Sequence, residues 1–208
     1  MAAFRAALDL GAGIECDVRL SADGEVVVFH DHDLRRMCAS ALAVEATPSA
    51  LLASQHLLGT AESIPSLADL LELVDGRGPL LIELKVRGSN SGMLSSKVAA
   101  ELLGYKGPAG VMSFEPAVGG WFARHSPEVR RGLVISERAS AFDRWRSIRA
   151  AAPHFLAVHQ ATLGRPWTRQ QRQRRNLYSW TIRSPADRGT AEIHADALIW
   201  EGDGRPRS

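Results

Sequence analysis

Short apolar runs alternate with amphipathic helical patterns along almost the whole chain, and this alternation restricts the fold more than any other feature. Apolar runs rich in β-branched residues are typical of buried strands, and a helix between two of them supplies a parallel crossover. The predicted strands are 14–20, 25–29, 79–85, 110–114, 131–135, 155–159, 177–182 and 195–200. Helices are predicted at about 2–10, 67–74, 90–104, 116–125 and 139–151. This order indicates parallel βαβ units, and hence an α/β doubly wound sheet or a (β/α) barrel.

The number of strands favours an incomplete barrel. Asp23-Gly24 is a strong hairpin signal between the first two strands, so the hairpin takes one place in the series and leaves seven places where a barrel needs eight. The missing unit would precede the helix at 2–10, which also lacks a Ser, Thr, Asp or Asn cap before Ala2. We therefore expect a TIM-type (β/α) barrel without its first strand.

Size and composition indicate one globular domain. A chain of 208 residues with 45% hydrophobic and 23% charged residues is long enough for a single core, which argues against a disordered chain. Cys16 and Cys38 have no CxxC spacing, so we expect reduced thiols, and a disulfide scaffold or zinc ribbon is excluded.

The chain has neither a long apolar segment nor a signal-peptide pattern at its start. We therefore expect a cytoplasmic protein with no integral membrane segment and no nucleic-acid partner. The sequence contains no indication of oligomeric state.

Positive charge is concentrated in one segment. The formal net charge is +2, and five arginines contribute +5, so the remainder of the chain sums to 2 − 5 = −3. These residues are Arg165, Arg169, Arg172, Arg174 and Arg175. A helix with solvated arginines is the ordinary interpretation, and contact with a phosphate or an anionic surface is the alternative.

Two carboxylates lie on one face of the first predicted strand. Because side chains alternate along a strand, Glu15 and Asp17 point the same way and Cys16 points to the opposite face. A hairpin centred on Asp23-Gly24 pairs residues whose numbers sum to about 47, which places His30 across from Asp17. The pattern predicts that an imidazole joins the two carboxylates.

A third carboxylate, Glu83, ends another strand, with Lys85 two residues further on the same face. Buried carboxylates need a cation or a basic partner. Three carboxylates without thiolates suit Mg²⁺ or Ca²⁺, and a lysine and a histidine beside such a cation suit phosphoryl chemistry. The alternative is structural: Glu15 and Glu83 paired with Arg19 or Lys85, and His30 as a core histidine.

The stretch GAGIECDVRLSADGEVVVFHDHDLRRM resembles the signature of the glycerophosphodiester phosphodiesterases, in which E-x-D, a Ser/Thr-x-Asp-Gly turn and a His-Asp pair follow in this order. IPSLADLLELV with LLIELK is similar to the family's next block, and VMSFEP, YSWTI and ADALIWEGDG continue the resemblance. It implies a TIM-type barrel that uses a divalent cation to hydrolyse glycerophosphodiesters to sn-glycerol 3-phosphate and an alcohol.

The resemblance also implies a role for each matching residue. Glu15, Asp17 and Glu83 match the metal ligands, His30 one of two acid/base histidines, and Lys85 a phosphate contact.

Three further residues match or face the family's pocket. Phe114 and Trp180 match aromatic residues of that pocket, although each taken alone is a core residue, and His159 ends a strand that faces the same mouth.

The chain departs from the family pattern in two places. It has no counterpart of the His-Arg-Gly and Pro-Glu-Asn-Thr blocks, and Trp200-Glu201 replaces a late Thr-Asp. Because each proton-transfer role contributes about 10²- to 10⁴-fold, we expect a poorer catalyst than a version extended through His-Arg-Gly. Three interpretations stay open. The first is an enzyme of this family whose full gene product extends upstream of Met1. The others are a short metal- and phosphate-binding barrel with weak activity, and a phospholipase-type phosphodiesterase on the same fold.

Overall fold

The computed structural model describes residues 1–205, which divide into two compact units. The first comprises Met1–Val111 and the second begins at Met112. Within residues 1–205, no helix is both long and apolar enough to cross a membrane.

The first unit contains the predicted hairpin and three longer helices. Its elements are α1 (Ala2–Asp9), β1 (Ile14–Leu20), β2 (Val26–Val28), α2 (Arg35–Cys38), α3 (Ser49–Ala53), α4 (Leu67–Val74), β3 (Leu80–Leu84) and α5 (Ser91–Leu102). A further strand, β4 (Ala109–Ser113), runs across the boundary of the units. The strand order is β2-β1-β3-β4, with β1 antiparallel to β2 and parallel to β3.

The hairpin register differs by one residue from the sequence prediction. Val18 pairs with Val28, so paired numbers sum to 46, and Phe29 donates its N–H to the carbonyl oxygen of Asp17 at 2.9 Å. The prediction that His30 lies directly across from Asp17 is therefore wrong. The cause is the turn, because the Ser21 N–H donates to the Glu25 carbonyl and Gly24 has φ +80°, which makes a three-residue loop instead of a two-residue turn.

Alternation along β1 decides which side chains enter the core. Ile14, Cys16, Val18 and Leu20 are buried, and the polar residues between them are only half-buried. The loops after the hairpin pack a second apolar cluster, which comprises Val27, Phe29, Leu34, Val44, Leu52 and Ile64. Because Val27 pairs with Arg19, this cluster lies on the Arg19 side of the hairpin, next to the face of β1 that carries Glu15 and Asp17.

Helix α4 begins at the predicted cap. The Ser66 hydroxyl accepts the N–H of Asp69 at 3.0 Å, and the Asp69 carboxylate accepts the N–H of Ser66 at 2.9 Å. This capping box satisfies two otherwise free amides and confirms the start of the helix.

The second unit repeats the strand–helix order. Its elements are α6 (Pro116–His125), β5 (Arg130–Ile135), α7 (Ala141–Ala151), β6 (Phe155–His159), α8 (Pro166–Arg172), β7 (Asn176–Ile182), α9 (Pro185–His194) and β8 (Ala197–Trp200). The strand order is β5-β6-β7-β8, and all neighbours are parallel. Every predicted strand is present to within two residues at each end.

The arginine-rich segment is only partly helical. Helix α8 ends at Arg172, and Arg174 and Arg175 lie between it and β7. The interpretation of the whole segment as one solvated helical face therefore holds for its first part alone.

Candidate active site

The three predicted carboxylates converge. In the parallel pairing of β1 with β3, Asp17 lies beside Glu83, and Glu15 is on the same face of β1 as Asp17. One carboxylate oxygen from each of Glu15, Asp17 and Glu83 lies within 4.8 Å of the others. The strand alternation and the register together build this carboxylate cluster.

Lys85 pairs with two members of the cluster. Its Nζ atom lies 2.5 Å from Oε1 of Glu83 and 3.0 Å from Oδ1 of Asp17. The Arg19 guanidinium pairs instead with Glu45 at 2.7 Å. The alternative that Lys85 pairs with Glu83 is thus observed, whereas the alternative that Arg19 pairs with Glu15 is not.

Glu15 has no cationic group within 4.0 Å among residues 1–205. Burial, together with the negative charges of Asp17 and Glu83, raises the pKa of Glu15 to about 8 against the opposing charge of Lys85. Burial also raises the pKa of Glu83, although Lys85 opposes this effect. The Lys85 ammonium is disfavoured by burial, yet Glu83 and Asp17 raise its pKa above the ordinary value. The cluster therefore carries more negative charge than Lys85 neutralises, and it needs a proton or a further cation.

A hard divalent cation fits this set of donors. All three converging groups are carboxylate oxygens, and the nearest thiol, Cys16, is buried on the opposite face of β1. Mg²⁺ and Ca²⁺ prefer oxygen ligands, and zinc in structural sites prefers thiolate and imidazole. The cluster thus has the chemistry of a Mg²⁺ or Ca²⁺ site.

His30 follows β2 and is exposed. Its side chain is 60% exposed, so the alternative of a core histidine is wrong. Its carbonyl oxygen accepts a hydrogen bond from Nε of Arg19 at 2.9 Å, which holds the backbone against β1. The charge of His30 also lowers the pKa of Glu83, which places the imidazole within electrostatic reach of the cluster.

Sequence reasoning assigned no role to the two residues that position His30. Nδ1 of His30 lies 2.7 Å from Oδ1 of Asp31. Arg36 holds the same carboxylate with Nε 2.6 Å from Oδ2 and Nη2 3.0 Å from Oδ1. Hydrogen bonds from Arg36 lower the pKa of Asp31 to about 2, so Asp31 is an anion. Its carboxylate orients the His30 ring through Nδ1, and Nε2 lies outside this pairing. The adjacency of His30 and Asp31 in the sequence is the feature from which this pairing could have been predicted.

In the second unit, Trp180 contacts both of the other predicted pocket residues. The Trp180 ring lies edge-to-face with Phe114 at 5.5 Å and with His159 at 5.0 Å between centroids. Phe114 is 42% exposed, so it is not a core residue. Sequence reasoning missed Glu137, whose Oε2 lies 3.1 Å from Nδ1 of His159. These four side chains form an aromatic and acidic group at the ends of strands.

Comparison with known proteins identifies the class. The model of the Glycerophosphoryl diester phosphodiesterase family matches residues 1–201. The chain is thus a phosphoric diester hydrolase. It belongs to the glycerophosphoryl diester phosphodiesterase family. None of the curated proteins compared is similar enough in sequence to count as a match.

Solved structures share the fold. A phosphodiesterase from Oleispira antarctica, in complex with the product sn-glycerol-3-phosphate, is 22% identical with a TM-score of 0.84, covering 96% of this chain and 85% of that one. A glycerophosphodiester phosphodiesterase from Thermotoga maritima is 24% identical with a TM-score of 0.80, covering 96% and 86%. Another from Agrobacterium tumefaciens is 24% identical with a TM-score of 0.75, covering 97% and 89%. The chain has the TIM-barrel-like fold of this family, and a missing first strand stays a prediction.

Proposed function

We propose that this chain hydrolyses glycerophosphodiesters to sn-glycerol 3-phosphate and an alcohol, with a divalent cation held by Glu15, Asp17 and Glu83. Family membership supports glycerophosphodiester hydrolysis. The complex of the Oleispira antarctica enzyme supports a small-molecule reaction that releases glycerol 3-phosphate. Because glycerophosphodiesters are deacylated phospholipids, the reaction belongs to lipid metabolism.

One observation carries the metal dependence. The Glu15 carboxyl is half-buried beside Asp17 and Glu83, and no cationic group lies within 4.0 Å of it among residues 1–205. An unpaired buried carboxylate is costly, so a cation that binds all three groups stabilises the ionised form of the cluster. When bound, Mg²⁺ or Ca²⁺ supplies positive charge that offsets the charge of the phosphodiester.

Lys85 is proposed to bind a phosphoryl oxygen. Its Nζ atom is anchored to Glu83 and Asp17, and its pKa is raised, so the ammonium is charged throughout the neutral range. An ammonium fixed before the reaction stabilises negative charge that grows on the phosphoryl oxygens without paying reorganisation in the transition state.

His30 is proposed to transfer a proton. Asp31 holds Nδ1, so Nε2 is the nitrogen that can accept a proton from the attacking oxygen or return one to the leaving alcohol. A histidine suits both directions of transfer near neutral pH. Asp31 and Arg36 act by positioning the ring.

Phe114, Trp180 and His159 are proposed to bind the substrate. Phe114 exposes part of its ring, and Trp180 and His159 pack edge-to-face, so the group offers an apolar surface beside a polar imidazole. Such a surface suits the carbon skeleton of a glycerol or alcohol group.

A coupled assay for glycerol 3-phosphate tests the proposal. Release is measured from glycerophosphocholine and glycerophosphoethanolamine with Mg²⁺, with Ca²⁺ and with a chelator. We expect release that needs the cation and that Glu15→Gln abolishes, whereas Glu72→Gln, at an exposed position of α4, leaves it unchanged. Activity confined to cyclic nucleotides or long-chain phospholipids, or undiminished by the chelator, would contradict it.

A further inference from the structure

A cleft of about 470 Å³ opens in the second unit where three neighbouring strands begin. It is lined by Glu128, Arg130, Pro153, His154, Arg174 and Arg175, and we refer to it as the basic cleft. Its volume falls within the range of small-molecule sites. Three arginines against one glutamate make its lining positively charged.

The parallel register explains why these charges meet. Gly132 of β5 pairs with Phe155 of β6, and Phe155 pairs with Asn176 of β7. His154 and Arg175 directly precede β6 and β7, and Arg130 is the first residue of β5. The sheet therefore brings together at one edge three chain segments that are far apart in sequence.

The arginines of the basic cleft have no counter-ions in the described part of the chain. Arg172, in the same segment, pairs with Asp196 at 2.9 Å, whereas no carboxylate within residues 1–205 lies within 4.0 Å of Arg130, Arg174 or Arg175. The Arg175 Nη1 atom donates to the carbonyl oxygen of Pro153 at 3.2 Å, and its Nε atom is buried without a hydrogen-bond partner. One guanidinium is thus held in place by the backbone with a donor unused.

Positive charges crowd one another at this position. Partial desolvation lowers the pKa of His154, and the positive charges of Arg131 and Arg130 act in the same direction. Burial and the neighbouring Arg174 likewise lower the pKa of Arg175. An anion in the cleft would relieve both the crowding and the unused donor.

The basic cleft lies at the opposite ends of the strands from the proposed substrate residues of this unit. His159 is the last residue of β6, whereas His154 directly precedes the first. An anion at His154 is thus separated from His159 by the length of the strand, and it does not occupy the surface formed by His159 and Trp180.

We propose that the basic cleft is a second binding site of this protein, specific for a phosphomonoester group, in which Arg130, Arg174 and Arg175 bind the phosphate oxygens. Planar guanidinium groups match phosphate oxygens with paired hydrogen bonds, and three of them neutralise a dianion. The phosphomonoester can come from a soluble metabolite or from an anionic lipid headgroup.

Titration of the full chain with inorganic phosphate tests the site. The imidazole resonances of His154, assigned with His154→Gln, report binding at the cleft, and they separate it from phosphate bound near Lys85. We expect saturable shifts in the wild type and a Kd at least about tenfold weaker in Arg174→Gln/Arg175→Gln, since each charge-assisted hydrogen bond lost costs about that factor. Arg165→Gln/Arg169→Gln removes two charges outside the cleft, at the cap of α8 and within it, and is the matched control.

Co-sedimentation with phosphatidylcholine vesicles containing phosphatidate separates the two sources. Binding of free phosphate, weakened by the double substitution alone, supports a soluble ligand. Binding to phosphatidate vesicles alone, with the same pattern among the variants, supports a lipid headgroup. Absence of both kinds of binding, or equal weakening in Arg165→Gln/Arg169→Gln, overturns the proposal. Melting temperatures of all variants establish that each is folded.

Discussion

The Nζ atom of Lys85 lies 2.5 Å from Oε1 of Glu83, the most buried carboxylate of the cluster. The two side chains share a face because they are two positions apart in the chain, and Asp17 completes the contact from β1 at 3.0 Å. Lys85 thus belongs both to the electrostatic balance of the cluster and to the proposed phosphate contact, and these two roles can be separated by experiment.

Lys85→Met should lower kcat by about 10²- to 10³-fold, the usual loss when one preorganised charged donor is removed. Divalent-cation affinity should stay equal or become tighter, because a positive charge leaves the cluster. The assay for glycerol 3-phosphate and calorimetric titration with Mg²⁺ or Ca²⁺ measure the two effects. Lys106→Met, an exposed control, should change neither. Unchanged kcat in Lys85→Met would remove the lysine from the mechanism.

Glu83→Gln should weaken the binding of Mg²⁺ or Ca²⁺ by at least about tenfold, because a hard cation loses one of three charged ligands. Calorimetry compares this variant with the wild type and with Glu72→Gln. A wild type that binds no divalent cation, or a Glu83→Gln variant that binds as tightly as the wild type, contradicts the assignment of the metal site.

The metal-free protein should lose stability as pH rises from about 4.5 to about 8. The pKa of Glu15 is about 8 in the folded protein and 4.5 ordinarily, so between these values the folded state binds more protons than the unfolded state. The stabilisation that comes from protonated Glu15 is fully present below the lower pKa and is lost as pH rises through the upper one. Over this range the free energy of unfolding falls by up to about 1.4 kcal/mol per pH unit.

Urea unfolding in chelator, repeated across this pH range, measures the slope. Glu15→Gln should show a shallower decline than the wild type, and Glu72→Gln should follow the wild type. Parallel curves for wild type and Glu15→Gln would mean that Glu15 titrates near its ordinary value.

Asp31→Asn should lower kcat about tenfold or more and leave KM unchanged, because the substitution releases the His30 ring without removing it. His30→Gln should cost about 10²- to 10⁴-fold. Steady-state kinetics with glycerophosphocholine compare both with Asp33→Asn, whose carboxylate contacts Arg35 and His32. An Asp31→Asn loss confined to KM would indicate that Asp31 acts on substrate binding instead of on the imidazole.

Gly132→Ala should destabilise the protein by about 1–3 kcal/mol through overpacking. A Cβ atom at Gly132 would lie 2.2 Å from Cε2 of Phe155, which is buried and stacked on Tyr178 at 4.6 Å between centroids. Thermal unfolding measures the effect, and Gly92→Ala, where an added Cβ meets nothing within 4 Å, is the control. Equal melting temperatures for the two variants would contradict tight packing at this position.

Local rules account for what could be predicted about the site. Period-two alternation placed Glu15 with Asp17 on one face of β1, and the same rule placed Glu83 with Lys85. The cap at Ser66 and the strand–helix order followed from side-chain chemistry and apolar spacing, and the family motifs supported the roles of these residues. Each of these features depends on residues close together in the chain.

Tertiary structure decided which separate segments meet. The prediction for His30 was displaced by one residue because the Ser21–Glu25 loop has three residues, and loop conformation depends on hydrogen bonds that alternation does not specify. Asp17 approaches Glu83 only because β1 and β3 pair in one register. The basic cleft likewise exists because the parallel strands β5, β6 and β7 begin at the same edge of the sheet. Side-chain direction is set by local backbone geometry. Strand register is set by packing and hydrogen bonding over the whole sheet, and these contacts between distant segments form only when the chain folds.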